Sequence, residues 1–129
     1  MTIFSKIIAG EIPCYKIAED ERFFAFLDIN PMTKGHTLVI PKIEEDYLFD
    51  LDDVLLGEMM IFAKKIAIAQ KTAMGCKRVG IAVLGMEVPH AHIHLVPLNS
   101  EKDMSFVSPK LQLTNEEMIK ISQKIIAVL

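Results

Sequence analysis

The chain has 129 residues, with 14 basic and 17 acidic side chains and a formal net charge of −3. A chain of this length forms one domain that buries roughly two thirds of the surface its unfolded form exposes, so it needs no disulfide or metal staple. Its interspersed charges lack the basic stripe that nucleic acid demands, and its apolar share of 51% is more than one small core hides, which points to an oligomer.

Ser5 to Ala9 reads as a short helix ended by Gly10 and Pro13, and Tyr15 to Glu19 as a strand. A second strand, Phe23 to Leu27, follows a charged turn. Asp28-Ile-Asn-Pro31 and Lys34-Gly35 make a loop, because proline fixes φ and glycine allows φ > 0 where the chain reverses. His36 to Ile40 resumes as a strand that Pro41 stops. These connections are too short for parallel crossovers, so the strands form an antiparallel meander.

From Asp52 to Met74 apolar residues recur at Leu55, Met59, Phe62, Ile66, Ala69 and Ala73, the spacing of one helix face, and Gly75 supplies the left-handed stop. Leu56, Met60, Ile61, Ala63, Ala67 and Ile68 widen that face, so one side is expected on the sheet and another on a second subunit. Glu58, Lys64, Lys65 and Gln70 interrupt the run and exclude a membrane span. Arg78 to Leu84 and His92 to Val96 read as two further strands. Thr114 and Glu117 form a capping box that opens a last helix, about residues 114–128. The expected fold class is α+β: a mainly antiparallel five-stranded sheet with one long helix and a C-terminal helix. Cys14 and Cys76 show no C-x-x-C pairing, and the start of the chain turns polar at Gly10-Glu11, so a reducing, cytoplasmic setting is expected.

His90-Ala91-His92-Ile93-His94-Leu95-Val96 is the segment that carries chemistry. In an extended chain the two-residue period sets the three histidines on one face and Ala91, Ile93 and Leu95 on the other, toward the core. Three readings compete: a solvated strand face, a metal site to which His36 adds a distant ligand, and catalysis by imidazole, whose unperturbed pKa lies near 6.5.

The same residues resemble the H-φ-H-φ-H-φ-φ signature of the histidine triad (HIT) proteins. Two upstream blocks extend the similarity to the Hint-like branch: Ile3-Phe4, Lys6-Ile7-Ile8 and Glu11-Ile12-Pro13, then Asp28-Ile29, Pro31 and Gly35-His36-x-Leu38-Val39-Ile40-Pro41-Lys42. The resemblance implies a single HIT domain over residues 1–129, built as a homodimer whose two five-stranded sheets join. It implies a hydrolase acting on purine nucleoside 5′-phosphoramidates or related nucleotidyl esters, with no cofactor or bound metal. His92 matches the nucleophile that forms a covalent nucleotidyl-histidine, His94 the residue that assists the leaving group, and His90 and His36 positions that support them. Ile3, Phe4, Ile7, Phe26, Ile29 and Leu38 match the enclosure of a purine base, and Asp28 the acceptor of ribose hydroxyls.

One block departs from the family. Gly85-Met86-Glu87-Val88-Pro89 stands where the family carries Gly-Gln-Ser/Thr-Val, and no asparagine lies between Pro41 and His90. Met86 and Glu87 thus replace neutral polar groups, and a carboxylate near a phosphodiester repels it unless it is paired or turned outward. This departure motivates the alternatives of a non-catalytic nucleotide-binding or scaffolding module, or a histidine-rich metal site.

Overall fold

In Phe23–Leu27 every side chain is buried, an unusual state for an antiparallel strand and one that requires cover on both faces. The computed structural model, which describes residues 1–129, supplies that cover. Its elements run α1 (Ile3–Ile8), β1 (Lys16–Glu19), β2 (Phe23–Leu27), β3 (Thr37–Pro41), α2 (Asp53–Met74), β4 (Arg78–Ala82), β5 (Ile93–Leu98) and α3 (Asn115–Ile126), with short 3-10 turns at Leu48–Asp50 and Glu101–Asp103. The five strands form one antiparallel sheet in the order β1-β2-β3-β5-β4.

The two-residue period of β2 divides its side chains between two cores. Phe23, Ala25 and Leu27 join Ile17, Val39, Ala91, Ile93 and Leu95 under α2 and α3. Phe24 and Phe26 point the other way, where Leu38 and Ile40 meet Phe4 and Ile7 of α1. Burying each such large apolar side chain is worth about 1.5–3 kcal/mol, so α1, only six residues long, is held by packing and not by helix propensity.

The ends of α2 fall where capping chemistry sets them: Asp52 accepts from the Leu55 amide, and Gly75 closes the helix at φ 62°. Thr114 and Glu117 form the expected capping box on α3. Met59, Ala63, Ile66 and Ala69 of α2 are buried, whereas Val54, Ile61 and Ile68, spaced seven apart, are 67%, 60% and 60% exposed. Gln70, expected only as a polar interruption, is fully buried. Its amide nitrogen donates to Gly35 O (2.8 Å) and Leu95 O (3.0 Å) and so ties α2 to β3 and β5, while its Oε1 has no partner. No helix is long and apolar enough to cross a membrane.

Several boundaries differ from the sequence reading. α1 starts at Ile3, not Ser5, because the Thr2 hydroxyl accepts from the Ser5 amide and caps the helix earlier. Pro41 does not stop β3; it pairs with Phe23 as the strand's last residue, a position that needs no amide donor. β4 ends at Ala82, two residues short of Leu84. β5 starts at Ile93 and runs through Pro97 to Leu98, beyond Val96. Pro97 is tolerated because its missing N–H faces the β3 side, where pairing ends at Leu95 and the Pro97 carbonyl instead accepts from the Thr33 hydroxyl at 2.8 Å.

Candidate active site

The ladder does not include the whole triad. Only His94 is a strand residue, opposite Leu38 on one side and Ala82 on the other. His90 and His92 lie in the irregular approach, where Ala91 N donates to Glu45 O at 2.6 Å instead of to a neighbouring strand. The expected alternation survives this correction: Ala91, Ile93 and Leu95 enter the main core, while the His92 and His94 rings meet edge to face, 5.0 Å apart.

Hydrogen bonds fix the neutral tautomer of each ring. His92 Nδ1 lies 2.8 Å from the His90 carbonyl, which only accepts, so Nδ1 carries the proton and Nε2 keeps a bare lone pair. His36 Nδ1 accepts from the Met32 amide at 3.0 Å, so its proton is on Nε2, directed at His94 Nδ1 3.0 Å away. His94 therefore holds its proton on Nε2. His90 donates from Nε2 to Pro41 O (2.8 Å) and receives the Thr2 hydroxyl at Nδ1 (2.7 Å). Thr2 N and the Ser5 hydroxyl both bond to Glu44, which joins the start of α1 to the loop after β3.

The electrostatics follow from burial. Burial first, then neighbouring His94 and Lys110, lowers the pKa of His36 to about 3. Burial, His92 and Lys110 together lower that of His94 to about 4. Both are neutral at pH 7, so the 3.5 Å approach of Asp28 Oδ2 to His36 Nε2 is not an ion pair there. Burial raises the Asp28 pKa against the Asn30 amide, His92 and Lys110, which lower it, and Glu87 adds a smaller push upward.

Phe4 connects these rings to the second core, standing edge to face with His92 at 5.1 Å, His90 at 5.8 Å and Phe26 at 5.5 Å. Of the six apolar positions singled out by sequence, Phe4, Ile7, Phe26 and Leu38 lie together in that core. Ile3 and Ile29 do not join it; they are 50% and 69% exposed. Asp28, His36 and His94 bring three potential ligand atoms within 4.8 Å of one another, but the His36 and His94 nitrogens face each other across a hydrogen bond. A metal there would have to displace that proton.

The HIT domain family matches residues 9–101 of the chain. The chain belongs to the HIT family. An uncharacterized HIT-like protein of Borreliella burgdorferi is 39% identical, covering 95% of this chain and 94% of that protein. The adenosine 5′-monophosphoramidase HNT1 of Saccharomyces cerevisiae is 36% identical, covering 98% of this chain and 82% of its own length. A HIT-like protein from Bartonella henselae, known from its crystal structure, has a TM-score of 0.85 at 32% identity, covering 99% of this chain and 96% of that one.

Two residues beside this HIT site were not found by sequence reasoning. Phe106 stands edge to face against His94 at 5.2 Å, and the Lys110 ammonium lies 5.8 Å from the centre of the Phe106 ring. Both belong to the loop between β5 and α3, where no motif marks them. Met86 and Glu87 are exposed, and Glu87 has no ion-pair partner.

Proposed function

We propose that this HIT protein is a nucleotide hydrolase that cleaves purine nucleoside 5′-phosphoramidates, or related nucleotidyl esters, through a covalent nucleotidyl-His92. The observation that carries the reading is the pairing of a bare His92 Nε2 with a protonated His94 Nε2 on adjacent rings. The lone pair of His92 attacks the α-phosphorus, the P–N bond to the amine breaks, and His94 delivers the proton the amine needs to leave neutral. An anionic phosphoryl group facing His94 raises its pKa, so His94 takes a second proton from solvent at Nδ1 as the substrate binds, and His36 moves its own proton to Nδ1, giving up the Met32 amide hydrogen bond. Water then attacks the phosphorus, the P–N bond to His92 breaks, and His94 takes the water's proton. The phosphoramidase name of the yeast relative supports the same chemistry.

The purine is assigned to the apolar wall of Phe4, Ile7, Phe26 and Leu38, with Ile3 and Ile29 at its exposed rim, and the ribose to Asp28. A second copy of the chain is the expected partner. Edge strand β4 leaves Ile81 49% exposed and is followed by exposed Val83 and Leu84, and the Val54, Ile61 and Ile68 stripe of α2 is open as well. Cys14 and Cys76 are both unpaired, which fits the reducing cytoplasm.

Incubating the protein with adenosine 5′-phosphoramidate tests the reading: ammonia and AMP are expected, with an acid-labile adduct of one AMP on the protein after rapid quenching. Absence of both products across several amine leaving groups, with AMP still bound, would leave a binding module in its place. Asp28→Asn is expected to weaken AMP about 10-fold while barely changing 2′,3′-dideoxy-AMP, because a carboxylate accepts hydroxyl hydrogen bonds more strongly than an amide. Equal losses for both ligands in a calorimetric titration would remove Asp28 from the ribose.

A further inference from the structure

An anionic substrate meets an unfavourable field at this site unless a cation is supplied. Asp28 and the exposed Glu87 are both acidic, and His36 and His94 are neutral in the free protein. The side chains expected from the family to contact the phosphate are replaced by Met86 and Glu87.

Lys110 is positioned to answer this. Its loop is fastened at two points: the Phe106 ring packs on His94, and Leu111 N donates to Pro31 O at 2.9 Å, within the segment that connects Asp28 to His36. Lys110 Nζ rests near the Phe106 ring and donates to Ser105 O at 2.8 Å and, weakly, to Ser108 O at 3.5 Å. It is half-buried and has no carboxylate partner anywhere in the fold. Two carbonyls orient an ammonium without neutralising it, and at least one of its three donors stays free. Its charge also bears on Asp28, His36 and His94.

We propose that Lys110, held on the His94-capping loop by Phe106, binds the phosphoryl oxygens of the substrate. The inference rests on the nucleotide reading above and deepens it: the ligand class is a nucleoside monophosphate ester or amidate that keeps at least one negative charge. An ammonium–phosphoryl hydrogen bond screens the nearby carboxylates and withdraws charge from the phosphorus as His92 approaches.

Calorimetric titration of the full chain with adenosine and with AMP separates the phosphate contribution from the nucleoside's. Lys110→Met is expected to weaken AMP by about 10- to 100-fold with adenosine unchanged, the range for loss of one charged hydrogen bond. Lys110→Arg, which keeps the charge, is expected to stay within about threefold of wild type for AMP. Both variants are melted beside wild type to confirm folding. Equal weakening of adenosine and AMP would make Lys110 a support of the loop and overturn the proposal. So would unchanged AMP affinity in Lys110→Met. If the wild-type chain binds neither ligand, the nucleotide reading itself fails and this inference with it, an outcome distinct from the other two.

Discussion

His92→Gly is expected to lower turnover of adenosine 5′-phosphoramidate by at least about 10³-fold, the scale on which removing a covalent nucleophile acts. Nothing nearby can replace it. His94 Nδ1 is occupied by the His36 proton and its Nε2 carries hydrogen, so His94 has no free lone pair toward the substrate. His90 is fully buried with both ring nitrogens engaged, by Thr2 and by Pro41 O. Binding is expected to persist, because Phe4, Phe26, Leu38 and Asp28 are untouched, so AMP affinity stays near wild type while turnover and the covalent adduct vanish. Imidazole added to the solution can enter the vacated space and restore part of the rate. Residual turnover within tenfold of wild type in the folded variant would end the covalent mechanism.

Alternation in His90–Val96 put the histidines opposite Ala91, Ile93 and Leu95, because a period of two is a property of extended chain whether or not a neighbour completes the ladder. The reading overextended the ladder itself, since pairing depends on which backbone lies alongside, and alongside Ala91 that is Glu45. The limits of α2 were legible because Asp52 and Gly75 act locally through side-chain capping and positive φ. Which side of α2 would be covered was legible only in part: the burial of Gln70 depends on two carbonyls, of Gly35 and Leu95, distant in sequence.

For the site the same division holds. His36 reaches His94 because β3 pairs with β5, with Leu38 opposite His94; His36, expected as the first residue of that strand, lies immediately before it. Phe106 and Lys110 left no local trace, as a loop residue's partner is set by where the loop lands. Ile29 carried an apolar signal but lies exposed beside Asp28 instead of in the core.

Acid is expected to unfold this protein in a window set by the His36–His94 pair, well above the range in which its paired carboxylates act. In the unfolded chain both rings titrate near 6.5, whereas the fold lowers them to about 3 and about 4. Between those limits the unfolded state binds more protons, so stability is complete above about pH 7 and falls as the pH drops through 6.5 toward 4. Asp28 works in the opposite sense: its raised pKa lets the folded state take up a proton first, which offsets part of the loss once the pH reaches its titration. Glu19, Glu44, Asp103 and Glu117 have lowered pKa values, so what they contribute is lost from the ordinary carboxylate range downward. The interval from pH 6.5 to 4.5 therefore belongs to the histidines. Two groups held neutral across two pH units correspond to about 3–5 kcal/mol of lost stability, at about 1.4 kcal/mol per unit each with allowance for their coupling. Urea unfolding measured from pH 8 to pH 4.5 checks this, with His36→Gln expected to reduce the decline by about half, because its amide can still donate to His94 without titrating. A flat wild-type profile over that interval would mean that the pair is not kept neutral by the fold, and that His94 does not depend on the substrate for its proton.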